Sequence, residues 1–211
     1  DRWSLPVGVS FRRQMLFDHL HPCYSGDVGI GPNPKLANYI KQADLVLLIG
    51  GRFGEMLDAY ENNAVAGIFH APEWDSHILI GLDRDFLFTM VEALFGSDGA
   101  EPPVEDERAF SSLEIRLAQT ILEQVGRALE SSFSLVSATP FRLERTETRM
   151  EFAVIGGRNN KAVEAKFTIQ ALNRGGEMFI VIPQSVLNPM RQSLARILVG
   201  ESSARDSRWT R

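Results

Sequence analysis

The sequence predicts a partial nucleotide-type α/β unit joined to an α+β domain, and three observations carry that expectation. Residues from Trp3 to about Tyr60 run strand, Gly/Pro-rich loop, helix, strand. From Ala64 to about Gly200 the order becomes strands with two amphipathic helices and a Gly96-Ser97-Asp98-Gly99 turn between them. The stretch from Leu57 to Val65, where the two patterns meet, lacks the composition of a linker that would let two domains swing. The expected organisation is a partial first domain over residues 1–61, a second domain over 62–200 and a polar tail over 201–211.

In the first piece Leu5 to Phe11 suits a strand. Asn33-Pro34 opens a helix, with Asn as N-cap and Pro at the first helical position, where its missing N–H costs nothing. Leu36, Tyr39, Ile40 and Ala43 share one helical face, and Asp44 ends the helix. The continuous apolar run Leu45 to Ile49 is the pattern of a parallel strand buried on both sides. Gly50, Gly51 and Gly54 follow, a glycine signal read as a tight turn ahead of a phosphate site.

In the second piece Ala64 to Phe69 and His77 to Leu82 alternate as strands. Asp83 caps a helix whose stripe is Phe86, Leu87, Met90, Val91, Leu94 and Phe95, and Gly96 stops it. Ser111 and Glu114 form a capping box for the second helix, with Leu117, Ile121, Leu122, Val125, Ala128 and Leu129 as its stripe. Strands are expected at Phe141 to Glu147, Glu151 to Ile155, Val163 to Leu172 and Glu177 to Ile182, with a last helix opening at Asn188-Pro189.

Composition narrows the function. With 44% hydrophobic and 23% charged residues the chain is globular in character, and a net charge of -5 argues against a general nucleic-acid binder. Arg191, Arg196, Arg205, Arg208 and Arg211 make the C-terminal end basic, which reads as a solvated tail. Cys23 is the single cysteine, so no intrachain disulfide forms and a cytoplasmic address is the default. The longest apolar runs fall far below the ~20 residues a membrane helix needs, and no signal peptide opens the chain, so no membrane insertion is expected. A start without Met and a polar end suggest an excised or incomplete product. Two clusters carry metal-ligating residue types. Asp18, His21 and Cys23 lack a paired second half, and His70, Glu73, Asp75 and His77 surround what reads as a solvated hairpin turn.

Two resemblances follow from particular residues. Leu5-Pro6-Val7, Ser10-Phe11-Arg12-Arg13-Gln14, His21-Pro22, Tyr24, Gly26-Asp27, Gly29, Gly31-Pro32-Asn33-Pro34 and Gly50-Gly51-Arg52-Phe53-Gly54-Glu55-Met56 resemble the central domain of thiamine-diphosphate-dependent enzymes of the acetolactate synthase and benzoylformate decarboxylase group. In that family the diphosphate and its magnesium are held by other domains, through a Gly-Asp-Gly motif and a downstream Asn, and a glutamate activates the thiazolium. Those ligands are not in this sequence, since Ser97 precedes Asp98-Gly99 and no Gly-Asp-Gly precedes Asn159-Asn160.

Ile68-Phe69, Leu82-Asp83-Arg84-Asp85-Phe86, Leu94-Phe95-Gly96-Ser97-Asp98-Gly99, Phe110-Ser111 with Glu114, Phe152-Ala153-Val154, and Ile182-Pro183-Gln184-Ser185 with Leu187-Asn188-Pro189 resemble the middle domain of the FliM family of flagellar motor switch proteins. The resemblance implies a FliM/CheC-like α+β fold and a rotor-ring protein at the cytoplasmic face of the flagellar basal body, with FliG, FliN and other FliM copies as partners and no cofactor or metal. It maps the FliG-facing loop onto Gly96, Ser97, Asp98 and Gly99, where Ser97 replaces the usual second glycine. The related CheC-type phosphatases use Glu and Asn three residues apart on a helix. No glutamate here has Asn three places on, and Ser112, Arg116 and Gln119 stand where the motif would be, so no enzyme is expected. The alternative reading is a non-catalytic fragment of a thiamine-diphosphate enzyme, and accidental joining of two coding fragments accounts for both truncations.

Overall fold

The computed structural model describes residues 4–10, 14–28, 33–60, 63–97, 108–171, 174–191 and 193, and divides into two compact units, Asp1–Val46 and Leu47–Arg211. In the smaller unit, strand β1 (Val7–Val9) pairs in parallel with β2 (Tyr24–Asp27), Val9 lying opposite Asp27. Helix α1 (Pro34–Lys41) begins as its sequence dictates. Asn33 Oδ1 accepts from Lys35 N at 2.9 Å, and Pro34 fills the first position. The helix ends at Lys41, before Asp44, with Gln42 N donating to Asn38 O. Of its apolar stripe Leu36 is buried, whereas Tyr39 and Ile40 are exposed.

The larger unit is built on a six-stranded sheet of order β3-β7-β8-β5-β4-β6, from β3 (Leu45–Arg52), β4 (Ala64–Ala71), β5 (Ser76–Asp83), β6 (Arg142–Glu147), β7 (Lys161–Ala171) and β8 (Arg174–Pro183). Pairing from β7 through β8, β5 and β4 to β6 is antiparallel. Side chains on successive strand residues point to opposite faces, so the central strands supply two cores at once. Val65, Phe69, Ile78, Ile80, Leu82, Ile180 and Ile182 enter one cluster with Phe86 and Leu87 of α3 (Arg84–Leu94) and Ala118 and Leu122 of α4 (Ser112–Phe133). Ala64, Ala66, Ile68, Leu79, Phe179 and Val181 enter the other, with Phe53, Met56 and Leu57 of α2 (Phe53–Asp58) and with Tyr60. Each Val, Leu, Ile, Met or Phe side chain among them, taken fully out of water, contributes roughly 1.5–3 kcal/mol.

Several expectations change here. Leu45 to Ile49 is not a strand buried on both sides, because β3 is an edge strand whose Leu45, Leu47, Leu48 and Ile49 are exposed. The cover goes elsewhere, since α2 spends its apolar residues on the cluster that contains β4, β5 and β8 residues. Glu151 to Ile155 is not a strand. Met150–Phe152 forms a 3-10 turn, and the buried pair Met150 and Ala153, three residues apart, matches that period and not a strand's. The last helix starts earlier than Asn188-Pro189, spanning residues 184–191 directly after β8, with Val186 and Met190 buried one turn apart. On α4 the buried line is Ala118, Leu122 and Gly126, flanked by Ile121, Val125 and Leu129, while Ala128 faces out.

Candidate partner-binding site

The turn singled out in the sequence sits at the end of α3. Asp83 Oδ1 accepts from Phe86 N at 2.7 Å and caps the helix start, and burial pushes its carboxyl up to about 6. Phe86 and Leu87 then anchor α3 in the core. The buried stripe stops with Met90 and Val91, so Leu94 and Phe95, expected inside, are 61% and 72% exposed. The helix closes in a Schellman arrangement, Gly96 N donating to Ala93 O at 3.2 Å and Ser97 N to Glu92 O at 2.9 Å. That closure needs a left-handed residue, and Gly96 supplies it with φ +83° and open space where a Cβ would stand. The structure thus places Gly96 and Ser97 at an exposed helix end beside two apolar side chains. Asp98 and Gly99 lie outside the described residues.

The chain re-enters the described residues at Arg108 and leads into α4. Ser111 Oγ accepts from Glu114 N at 3.3 Å and Glu114 Oε2 accepts from Ser111 N at 2.6 Å, which completes the capping box. The Arg108 guanidinium donates to both Glu114 carboxylate oxygens, at 2.9 and 2.6 Å, and this pairing, helped by the Ser111 bonds, holds the buried Glu114 carboxyl down at about 2. Arg84, at the start of α3, lies with Cζ 4.3 Å from the Phe110 ring centroid and 5.5 Å from that of Phe88. Sequence reasoning saw the box and missed the arginines, because nothing in the spacing says which side chains close on the rings.

The metal-type clusters resolve into local structure. Asp18 Oδ1 accepts from Leu20 N and His21 Nδ1 from Cys23 N, which are turn contacts within one loop. His70 and His77 face each other directly across β4 and β5, with ring centroids 5.0 Å apart. Their shared neighbour is Glu144 of β6, 3.0 Å from His77 Nε2 and 3.9 Å from His70 Nδ1. Glu73 and Asp75 stay in the connecting turn, where Glu73 N donates to Thr139 Oγ1. Among the described residues no three His, Cys, Asp or Glu side chains are arranged to hold a metal ion. On α4, Gln119 Nε2 donates to Thr146 Oγ1 at 3.2 Å.

A second electrostatic feature lies on the opposite core. Tyr60 stacks on Phe179 with centroids 3.8 Å apart and planes 10° apart, and its hydroxyl donates to Glu177 Oε2 at 3.3 Å. Lys166 Nζ stands 4.7 Å from the Tyr60 ring and 3.9 Å from Glu164 Oε1. Burial pushes the Glu164 carboxyl up, Lys166 pulling the other way, and burial with the nearby Glu164 and Glu177 charges raises the Tyr60 hydroxyl.

A sheet antiparallel from β7 to β6 with helices on it, one of them ending in an exposed glycine turn, is the fold of the flagellar switch protein middle domain. The model of the family described as Flagellar motor switch protein FliM matches residues 43–198, and the chain belongs to that family. FliM of Caulobacter vibrioides is 31% identical over 159 residues, 75% of this chain and 42% of that protein, so the chain spans less than half the length of that relative. FliM of Pseudomonas aeruginosa is 28% identical over 128 residues, 61% of this chain and 39% of that protein. Among solved structures, the FliM middle domain of Vibrio alginolyticus matches with a TM-score of 0.59 at 23% identity, covering 75% of this chain and 90% of that one. FliM in a FliG–FliM complex from H. pylori matches with a TM-score of 0.60 at 20% identity, covering 72% and 87%. These are relatives of a structural motor protein and not of an enzyme. The model of the thiamine pyrophosphate enzyme central domain matches residues 1–84, overlapping the first over 43–84.

Proposed function

We propose that the chain serves as a structural component of the bacterial flagellar motor switch, and that Gly96, Ser97, Asp98 and Gly99 form its FliG-facing turn. The observation that supports this reading is the Schellman closure at Gly96, which holds the turn's first residues at an exposed helix end in a chain of the FliM family. Glycine lets a partner backbone approach closely, and Asp98 supplies a carboxylate for a charge-assisted bond to a basic partner side chain. FliN and neighbouring FliM copies complete the proposed partners, at the cytoplasmic face of the basal body, with torque switching and chemotaxis as the output and no cofactor. Asp98→Ala is expected to leave the melting temperature nearly unchanged and to weaken FliG binding by roughly 1–3 kcal/mol in titration calorimetry. Unaltered binding by the variant removes the role of Asp98, and no binding by the parent chain removes the reading.

The match over residues 1–84 favours a second reading for the small unit alone, a non-catalytic piece of a thiamine-diphosphate enzyme's central domain. Calorimetry with thiamine diphosphate and magnesium is expected to show no saturable micromolar binding, because ~8 kcal/mol of affinity cannot come from a site whose ligands are not in the sequence. The domain division is likewise proposed. Residues 1–61 carry the enzyme-type pattern by descent, while Phe53, Met56, Leu57 and Tyr60 already serve the core of the switch-type sheet.

A further inference from the structure

We propose that Glu164, Tyr60 and Glu177 form a proton-controlled latch, which holds α2 and Tyr60 on the sheet while Glu164 carries a proton and loosens them when that proton leaves. The latch lies on the sheet face that α2 covers. Glu164 and Lys166 of β7 stand opposite Val181 and Phe179 of β8, and alternation along β8 puts Glu177 on the same face. Glu164 is 1% exposed, with Ala162 and Val181 of the second core as its neighbours on that face. Tyr60 closes over these residues. Its ring stacks on Phe179, its hydroxyl donates to Glu177 Oε2 at 3.3 Å, and the same hydroxyl interacts with the Glu164 carboxyl.

Counting donors decides which form of Glu164 fits this arrangement. A tyrosine hydroxyl has one proton to give. With Glu164 ionised, that proton serves two carboxylates, Glu164 Oε1 is buried with no hydrogen-bond partner among the described residues, and the Lys166 ammonium at 3.9 Å is too far to supply one. With Glu164 protonated, its hydroxyl donates to Tyr60, Tyr60 donates to Glu177, and the charge stays on Glu177, which is half-buried. Burial pushes the Glu164 carboxyl up in the same sense. The charged and titratable groups facing Glu164 are Lys166 on its own strand, Glu177 on β8 and Tyr60, while Asp83 at the end of β5 acts on Tyr60 and accepts from Glu177 N–H. Glu55 and Asp58 of α2 are exposed and paired with Arg52 and Arg158. The contribution of Glu164 is therefore full below the ordinary carboxylate range and is lost as pH rises through its raised one. Proton loss leaves a buried, under-bonded charge beside Tyr60, and movement of Tyr60 and α2 relieves it by admitting water. That movement uncovers Leu79, Phe179 and Val181, so the latch governs exposure of an apolar face.

Glu164→Gln keeps the shape and puts a neutral amide donor in place of the carboxyl, so it mimics the protonated form at every pH. Amide hydrogen exchange of the whole chain, corrected for its intrinsic pH dependence, is followed over residues 53–60 from about pH 5 to about pH 9. Protection there is expected to fall about tenfold in the parent and to stay level in Glu164→Gln. Asp83 titrates in both proteins, so the difference between them belongs to Glu164. Tyr60→Phe keeps the stack without the hydroxyl and is expected to lower protection at the acid end and shrink the pH response. The same fall in parent and Glu164→Gln overturns the latch. Carbon-13 titration of the Glu164 carboxyl in the parent needs no variant, and a carboxyl already ionised at about pH 5 overturns it as well.

Discussion

The two compact units contain strands and helices of similar local quality and differ in what those elements bury. In Asp1–Val46 the helix cap at Asn33 is well formed and β1 and β2 pair in parallel, yet among the described residues Val9 and Leu36 are its buried apolar side chains. In Leu47–Arg211 the central strands are covered on both faces, by α3 and α4 on one and by α2 on the other. The contrast teaches that a correct cap and a correct pairing make an element without making a core. Stability comes from covering the faces, and among its described residues the small unit has little with which to cover its own.

The largest effect expected from this contrast comes from truncation. A chain starting at residue 43 should keep a cooperative thermal transition, whereas one starting at 62 loses Phe53, Met56, Leu57 and Tyr60 from the second core and should lose that transition. Equal melting of the two truncated chains would break the comparison. Next comes Phe179→Ala, which removes a fully buried ring from the same core and should cost about 3–5 kcal/mol in denaturant unfolding. Leu36→Ala in the small unit should shift that transition much less, and a similar shift would mean that the two units unfold as one.

The smallest effect is electrostatic and confined to the larger unit. Asp83, raised from 3.8 to about 6, favours the folded state when protonated, so that its contribution is full below 3.8 and is lost as pH climbs through about 6, and Glu164, also raised by burial, acts in the same direction. Glu114, lowered from 4.5 to about 2, contributes above 4.5 and loses its contribution as pH falls toward 2. The melting temperature should therefore rise modestly on acidification from pH 7 toward about 4 and fall again as pH drops further toward 2. Asp83→Asn keeps an acceptor at the cap and should flatten the upper arm, and an unflattened arm would remove Asp83 as its source.

Features that depend on a few neighbours in sequence were readable in advance. The caps at Asn33, Asp83 and Ser111, and the stop at Gly96, each rest on contacts spanning two to five residues. What escaped depends on which strand lies beside which. The apolar run Leu45 to Ile49 reads as a central strand, but its place at the sheet edge follows from pairing with β7, more than a hundred residues later in the chain. Glu144 joins His70 and His77 only because β6 pairs with β4, and the Phe110 and Phe88 rings meet Arg84 and Arg108 only once α3 and the lead into α4 lie together. In the candidate site the helix stop at Gly96 was legible in its local sequence, whereas the arginine beside the Glu114 carboxylate was not.

Gly81 of β5 carries a consequence for how this sheet can vary. A Cβ there would stand 2.0 Å from the tip of the Phe179 ring, which lies on the neighbouring strand directly opposite and carries the stacked Tyr60. The two positions divide a single volume between them. A drifting lineage can enlarge residue 81 only after residue 179 has shrunk, and the reverse order passes through a chain that does not pack. Such a pair imposes a direction on mutational paths, in which residue 179 gives up volume before residue 81 takes it.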